Sequence, residues 1–181
     1  IPSPRTVFKD VLRLPPGHVG VFEQGRLSVQ PYWTPTFIEP ARWSFEEARN
    51  SFRPILEDAV RWQLGDGLPA CFLSGGTDSS TVAGLIREVT GTSPVCYSIG
   101  FEAEGYDEMA YARIAARAYQ VEHREHYVTP DELAAAIPAV AEHYDQPFGN
   151  SSAVPAYCCA RVAAADGVKR LLAGDGGDEL F

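Results

Sequence analysis

The chain is 181 residues long, 45% hydrophobic and 22% charged, which suits a single globular unit with a substantial core. Fifteen Lys and Arg against 24 Asp and Glu leave a formal net charge of −9, a poor supply of cations for gripping a nucleic-acid backbone. No apolar run approaches the ~18 residues a membrane helix needs, and the first residues lack the basic-then-apolar order of a signal peptide, so the expected location is cytoplasmic.

In chain order, His18-Val19-Gly20-Val21-Phe22 and Leu27-Ser28-Val29-Gln30 flank Glu23-Gln24-Gly25-Arg26 and read as a β-hairpin. A hairpin cannot support a core of its own, so this segment is expected to belong to something larger. Thr34-Pro35 and Glu39-Pro40 punctuate the chain as a linker, which divides it near residue 35. Ser44-Phe45-Glu46-Glu47 is a capping box for a helix running toward Trp62, and Pro54 should kink or restart that helix.

The apolar run Ala70-Cys71-Phe72-Leu73 reads as a strand, and Val82, Leu85, Ile86 and Val89 fall at helical spacing after a glycine-rich loop. Val95 to Ile99 reads as a second strand, Asp107 to Tyr119 as a helix and His123 to Val128 as a third strand. Thr129-Pro130-Asp131-Glu132 opens another helix with Pro at its first position; a further helix covers Ala153 to Ala165, and Val168 to Ala173 reads as a fourth strand. This alternation implies an α/β fold, a parallel sheet with helices on both faces, whose ligands sit beyond the carboxyl ends of the strands.

The loop Ser74-Gly75-Gly76-Thr77-Asp78-Ser79-Ser80 lies at such an end. A helix start has N–H groups without intrahelical acceptors and a partial positive charge, so it favours anions, and glycines let the backbone approach one closely. Ser74, Thr77, Ser79 and Ser80 add hydroxyl donors, which makes phosphate the natural guest. A Walker loop is excluded because no Lys occurs from Cys71 to Glu88, and neither a dinucleotide fingerprint nor a nucleophile elbow fits. Ala173-Gly174-Asp175-Gly176-Gly177-Asp178-Glu179 follows the last strand, and its carboxylates on pliable backbone suit Mg²⁺ shared with nucleotide phosphates.

Other features take structural readings. Cys71, Cys96, Cys158 and Cys159 fit neither a zinc pattern nor a disulfide framework and are expected to be reduced and buried. His123 and His126 lie three apart on a strand, so they face opposite sides and make no metal site. Arg113 and Arg117 with Glu108 are expected to form ion pairs on a solvated helix face.

The S-G-G-x-D-S-S pattern at Ser74 to Ser80 resembles that of the PP-loop ATP pyrophosphatases, enzymes that cleave ATP between its α and β phosphates. With Tyr106-Asp107-Glu108, Tyr144-Asp145-Gln146-Pro147-Phe148, Ser151-Ser152-Ala153-Val154-Pro155 and Leu172 to Phe181 in the same order and spacing, the chain is similar to the synthetase domain of glutamine-dependent asparagine synthetases. Pro4 to Phe8 and Leu14 to His18 resemble the last strands of that family's glutaminase domain. The resemblance implies residues 1–35 as the end of a glutaminase-like domain and 36–181 as the first part of an incomplete synthetase domain.

It further implies that Leu73, Ile99, Ala173 and Gly174 contact AMP, that Ser74, Gly75, Gly76, Asp78 and Ser79 hold pyrophosphate, and that Asp78 and Asp178 hold Mg²⁺. Asp175 stands where the family usually has glutamate and would support the acyl-adenylate step; Ala173 stands where serine is common. The implied reaction takes ATP, aspartate or another carboxylic acid, and ammonia from glutamine, and forms β-aspartyl-AMP on the way to asparagine. Within the same resemblance, a β-lactam synthetase-like or peptide-modifying ligase and a catalytically silent nucleotide-binding homologue stay open. Neither nucleic acid nor membrane is an expected partner, any homodimer is expected to form through regions beyond these residues, and the 181 residues alone are expected to bind nucleotide without full turnover.

Overall fold

The computed structural model describes residues 1–36, 43–67, 69–102, 105, 107–147 and 149–180. Tyr106, Phe148 and Phe181 of the motifs, and Glu39-Pro40 of the linker, lie outside them. Strands β1 (His18–Glu23) and β2 (Arg26–Pro31) form the expected antiparallel hairpin, in register from His18 opposite Pro31 to Glu23 opposite Arg26. Its turn places Gln24 at φ 50° and Gly25 at φ 74°, the left-handed pair that matches the twist of a two-residue hairpin.

Residues 45–180 form the α/β unit. Helix α1 (Phe45–Gln63) starts from the Ser44–Glu47 capping box, in which each residue's side chain accepts the other's backbone N–H. It continues through Pro54 as a single helix, against the expectation of a restart. Proline costs one backbone hydrogen bond, but Leu56 and Val60 beyond it pack into the core and hold the second half in line.

Strands β3 (Ala70–Phe72), β4 (Val95–Gly100) and β5 (Glu122–Tyr127) make a parallel sheet in the order β3-β4-β5. Helix α2 (Thr77–Thr90) connects β3 to β4, and α3 (Met109–Tyr119) connects β4 to β5. The strands' alternation sorts the core. Cys71, Leu73 and Cys96 face α1, α2 and α3 through Val60, Ala83, Ile86, Met109 and Ala112. Ala70, Val95 and Tyr97 face the other way, onto Cys159 and Ala163 of α5 (Ala153–Ala165), beside which α4 (Pro130–His143) packs around Ala136 and Val128. Helices therefore cover both faces, as the alternation of elements predicts.

The fourth strand contracts to one parallel bridge between Cys71 and Leu172. Leu172 donates to the Ala70 carbonyl at 2.9 Å and accepts from Phe72 at 3.0 Å, after which Gly174 turns in against α2 and ends the pairing. The residues after it form a short helix, α6 (Gly177–Leu180), rather than an open loop. Helix α3 starts two residues later than expected because the Asp107 carboxylate accepts the Met109 N–H at 3.2 Å and turns the chain first. All four cysteines are free and buried, with the Cys71 and Cys96 sulfurs 3.4 Å apart across adjacent strands. This contact, together with burial, pushes the Cys71 thiol well above its ordinary range.

Candidate active site

The loop after β3 is folded by its own hydroxyls. Ser74 N–H donates to Ser79 Oγ at 3.2 Å, the two serine hydroxyls lie 2.9 Å apart, and Gly76 N–H donates to Ser74 Oγ at 3.2 Å. Gly76 is the N-cap of α2, and no side chain caps this helix. The first helical N–H groups, at Thr77 to Ser79, thus have no acceptor in the helix, and the positive end of the helix dipole opens beyond β3. The Ser80 hydroxyl is buried without a hydrogen-bond partner, an unmet polar requirement in the same turn.

Gly75 adopts φ 86°, and a Cβ there would strike the backbone of Tyr111 and Ala112 in α3. Glycine is therefore required both by conformation and by the close approach of α3. The acidic loop meets the phosphate loop from the other side. A Cβ on Gly174 would sit 2.7 Å from Asp78 Cβ and 2.8 Å from Ser79 N, and one on Gly177 would sit 2.6 Å from Asp78 Cγ. Two bare glycines thus let the half-buried Asp78 carboxylate stand at the joint of the loops.

Of the residues singled out in the sequence, Leu73, Ser74, Gly75, Gly76, Asp78, Ser79 and Gly174 come together at this joint. Ala173 immediately precedes Gly174, and extending the β3–β4 register by two residues sets Ile99 beside Ser74. Asp175 and Asp178 are exposed on the acidic loop and its helix. Among the described residues no group of three or more His, Cys, Asp or Glu is assembled for a metal. A hard cation shared with phosphates needs only one or two carboxylates, and Asp78 beside the uncapped helix, with Asp178 one residue past Gly177, suits that arrangement.

The structure also assigns residues that the motif left unassigned. Gly177 is needed for space beside Asp78, a role visible only once the two loops meet. Ser98, 4% exposed, is a polar residue in the otherwise apolar β4, and its hydroxyl donates to the Leu73 carbonyl while touching His123 Nε2 at 2.7 Å. A lone serine in an apolar run was the available signal. Arg113 pairs with Glu125 of β5, at 2.9 and 2.6 Å, and not with Glu108. His126 faces away from His123, toward Glu132 at 3.3 Å, as strand alternation requires.

A parallel sheet with a hydroxyl and glycine loop between its first strand and helix is the architecture of the PP-loop ATP pyrophosphatases. The asparagine synthase family model matches residues 51–181, and the chain belongs to that family. It is 33% identical over its whole length to "Putative asparagine synthetase (glutamine-hydrolyzing) 2" of Methanocaldococcus jannaschii, of which it covers 35%. It is 29% identical, again over its whole length, to asparagine synthetase (glutamine-hydrolyzing) 1 of Bacillus subtilis, covering 28%. The amidase chyE of Penicillium rubens is 32% identical over 98% of the chain, with 29% of that protein covered. The chain thus spans about a third of the length of the curated relatives it matches.

Proposed function

We propose that this chain carries the nucleotide-activating part of an AMP-forming amide ligase, with aspartate as the acid and ammonia from glutamine as the amine. The observation that carries the reading is the uncapped start of α2, folded over by Ser74 and Ser79, with Asp78 held against Gly174 and Gly177. Residues 74–79 would bind and orient the phosphates of ATP, while the backbone at Leu73, Ile99, Ala173 and Gly174 would take the adenosine part. Asp78 and Asp178 would hold Mg²⁺, which when bound neutralises charge on the departing pyrophosphate.

The β-carboxylate of aspartate would attack the α-phosphorus as the bond to the β-phosphate breaks, giving β-aspartyl-AMP and pyrophosphate. Ammonia would then attack the acyl carbon and release AMP, leaving asparagine. The loop's part is positioning and charge stabilisation, because its own hydrogen bonds hold its shape. Asp175 would act near the acyl-adenylate. In this reading residues 1–35 close a glutaminase-like domain and residues 36–181 open the synthetase domain. No helix among the described residues is long and apolar enough to cross a membrane.

A second reading keeps the mechanism and changes the acid. Asp175 is one methylene shorter than the residue usual in the family, Ala173 lacks a hydroxyl, and one relative is named an amidase rather than an asparagine synthetase. The test is release of AMP and pyrophosphate from Mg-ATP and ammonia with a panel of carboxylic acids. Release with aspartate alone supports the first reading, release with another acid the second, and none from folded protein that binds ATP rejects both.

A further inference from the structure

We propose that Ser98 and His123 are positioning residues for the phosphate loop, holding the Leu73–Ser74 peptide group at the angle from which the loop is built. This inference rests on the nucleotide-binding reading of residues 74–79.

The carbonyl of Leu73 and the N–H of Ser74 belong to one planar peptide group. The carbonyl accepts from the Ser98 hydroxyl behind the sheet edge, and the N–H donates to Ser79 Oγ at 3.2 Å in front. The group is therefore held at both ends. Leu73 N–H is tied as well, to the Tyr97 carbonyl at 2.9 Å, so the chain enters the loop with no free donor. The next residues up to Gly76 take their directions from this plane.

Ser98 has one hydrogen to donate, and Leu73 takes it. His123 Nε2, 2.7 Å from Ser98 Oγ, must then carry the proton and donate, which fixes the imidazole tautomer. Parallel register explains the meeting: Cys96 lies opposite His123 and Ser98 opposite Glu125, so all three polar side chains share the face that α3 covers. His123 Nδ1 lies 3.4 Å from Glu125 Oε1, and Arg113 of α3 grips that carboxylate with two hydrogen bonds. Arg117 joins Arg113, His123 and Glu125 in lining an open cavity of about 320 Å³. Protonation at Nδ1 would leave the Nε2 donor in place, so the hold on Ser98 is insensitive to pH. The backbone of α3 also abuts Gly75, so the helix that anchors this relay touches the loop the relay aims.

The test compares Ser98→Ala, Ser98→Thr, His123→Gln and His123→Leu in the protein. Binding of ATP and of adenosine is measured by calorimetry, and exchange of the Ser74 and Gly76 amides by NMR. The expected result is about a tenfold loss of ATP affinity in Ser98→Ala and His123→Leu, with a clearly smaller loss of adenosine affinity, since the phosphate loop beyond Leu73 is what the clamp aims. Ser98→Thr, which keeps the hydroxyl, and His123→Gln, which keeps a donor, should stay within about threefold of the parent. Nitrogen shifts of His123 should report the Nε2–H tautomer. Parent-like ATP binding in Ser98→Ala overturns the proposal, as does equal loss for ATP and adenosine in a destabilised protein. If the parent itself binds no ATP, the proposed function fails, and amide exchange decides the clamp. Faster exchange at Ser74 in Ser98→Ala sustains it, and unchanged exchange overturns it.

Discussion

The two loops at the carboxyl edge of the sheet differ in how their chemistry is held. Residues 74–79 are folded by serine hydroxyls, a left-handed glycine and a buried serine on the next strand, so the donors are arranged in advance. Residues 173–178 place Asp175 and Asp178 in solvent and touch their neighbour through the bare backbone of Gly174 and Gly177. Preorganised donors suit a ligand part that is the same in every turnover, such as a phosphate chain. Exposed carboxylates suit a cation, which completes its own coordination with other oxygens.

Substitutions at the glycines should separate the two loops. Gly75→Ala is expected to have the largest effect, since the new methyl meets α3 backbone and the residue must keep φ 86°. It should destabilise the fold by roughly 2–4 kcal/mol and abolish ATP binding, read by urea unfolding and calorimetry. Gly177→Ala meets the movable end of Asp78 rather than backbone, so the fold should survive while the Mg²⁺-dependent part of ATP affinity drops about tenfold or more. If Gly177→Ala behaved like the parent with and without Mg²⁺, the contrast between the loops would fail.

A titration sharpens the same contrast. Burial holds His123 below its ordinary value of 6.5 despite Glu125 nearby. The unfolded chain then binds more protons just below that value, so stability is whole above it and falls as pH drops beneath it. Glu125, lowered chiefly by its hydrogen bond to Arg113, and Glu132, lowered by the Thr129 backbone, contribute stability present above 4.5 and lost as pH falls through their lower folded values. Urea midpoints should therefore decline in two stages on acidification, and His123→Gln should remove the first. The smallest effect belongs to Thr129→Ala, which removes the α4 capping box two strands away from the phosphate loop. It should cost about 1 kcal/mol and leave ATP affinity unchanged.

Most of the fold was legible because it rests on local patterns. The hairpin turn, the capping box at Ser44, the helix start at Thr129-Pro130, the helix carrying Val82 to Val89 and the alternation of strands with helices all follow from spacing and turn chemistry. What was not legible depends on residues far apart in the chain. Pro54 is carried through its helix by tertiary packing, and the run Val168 to Ala173 pairs at one residue because Gly174 is drawn against Asp78. The phosphate loop could be read as a motif, whereas the Ser98–His123 contact needs the register of two strands separated by a helix. Arg113 was expected to pair along its own helix, but Glu125 on β5 offers both oxygens at once.

The four buried thiols have a practical consequence. Cys71 and Cys96 lie on the strands that lead into the site, and Cys158 and Cys159 lie on the helix beneath them. A thiol-specific alkylating dye should find nothing to label in the intact protein, and each adduct gained would mark an opening of the sheet or of its lower layer. Mass spectrometry after a timed pulse of dye would thus follow breathing of the sheet and its helices through their own side chains, with no engineered probe.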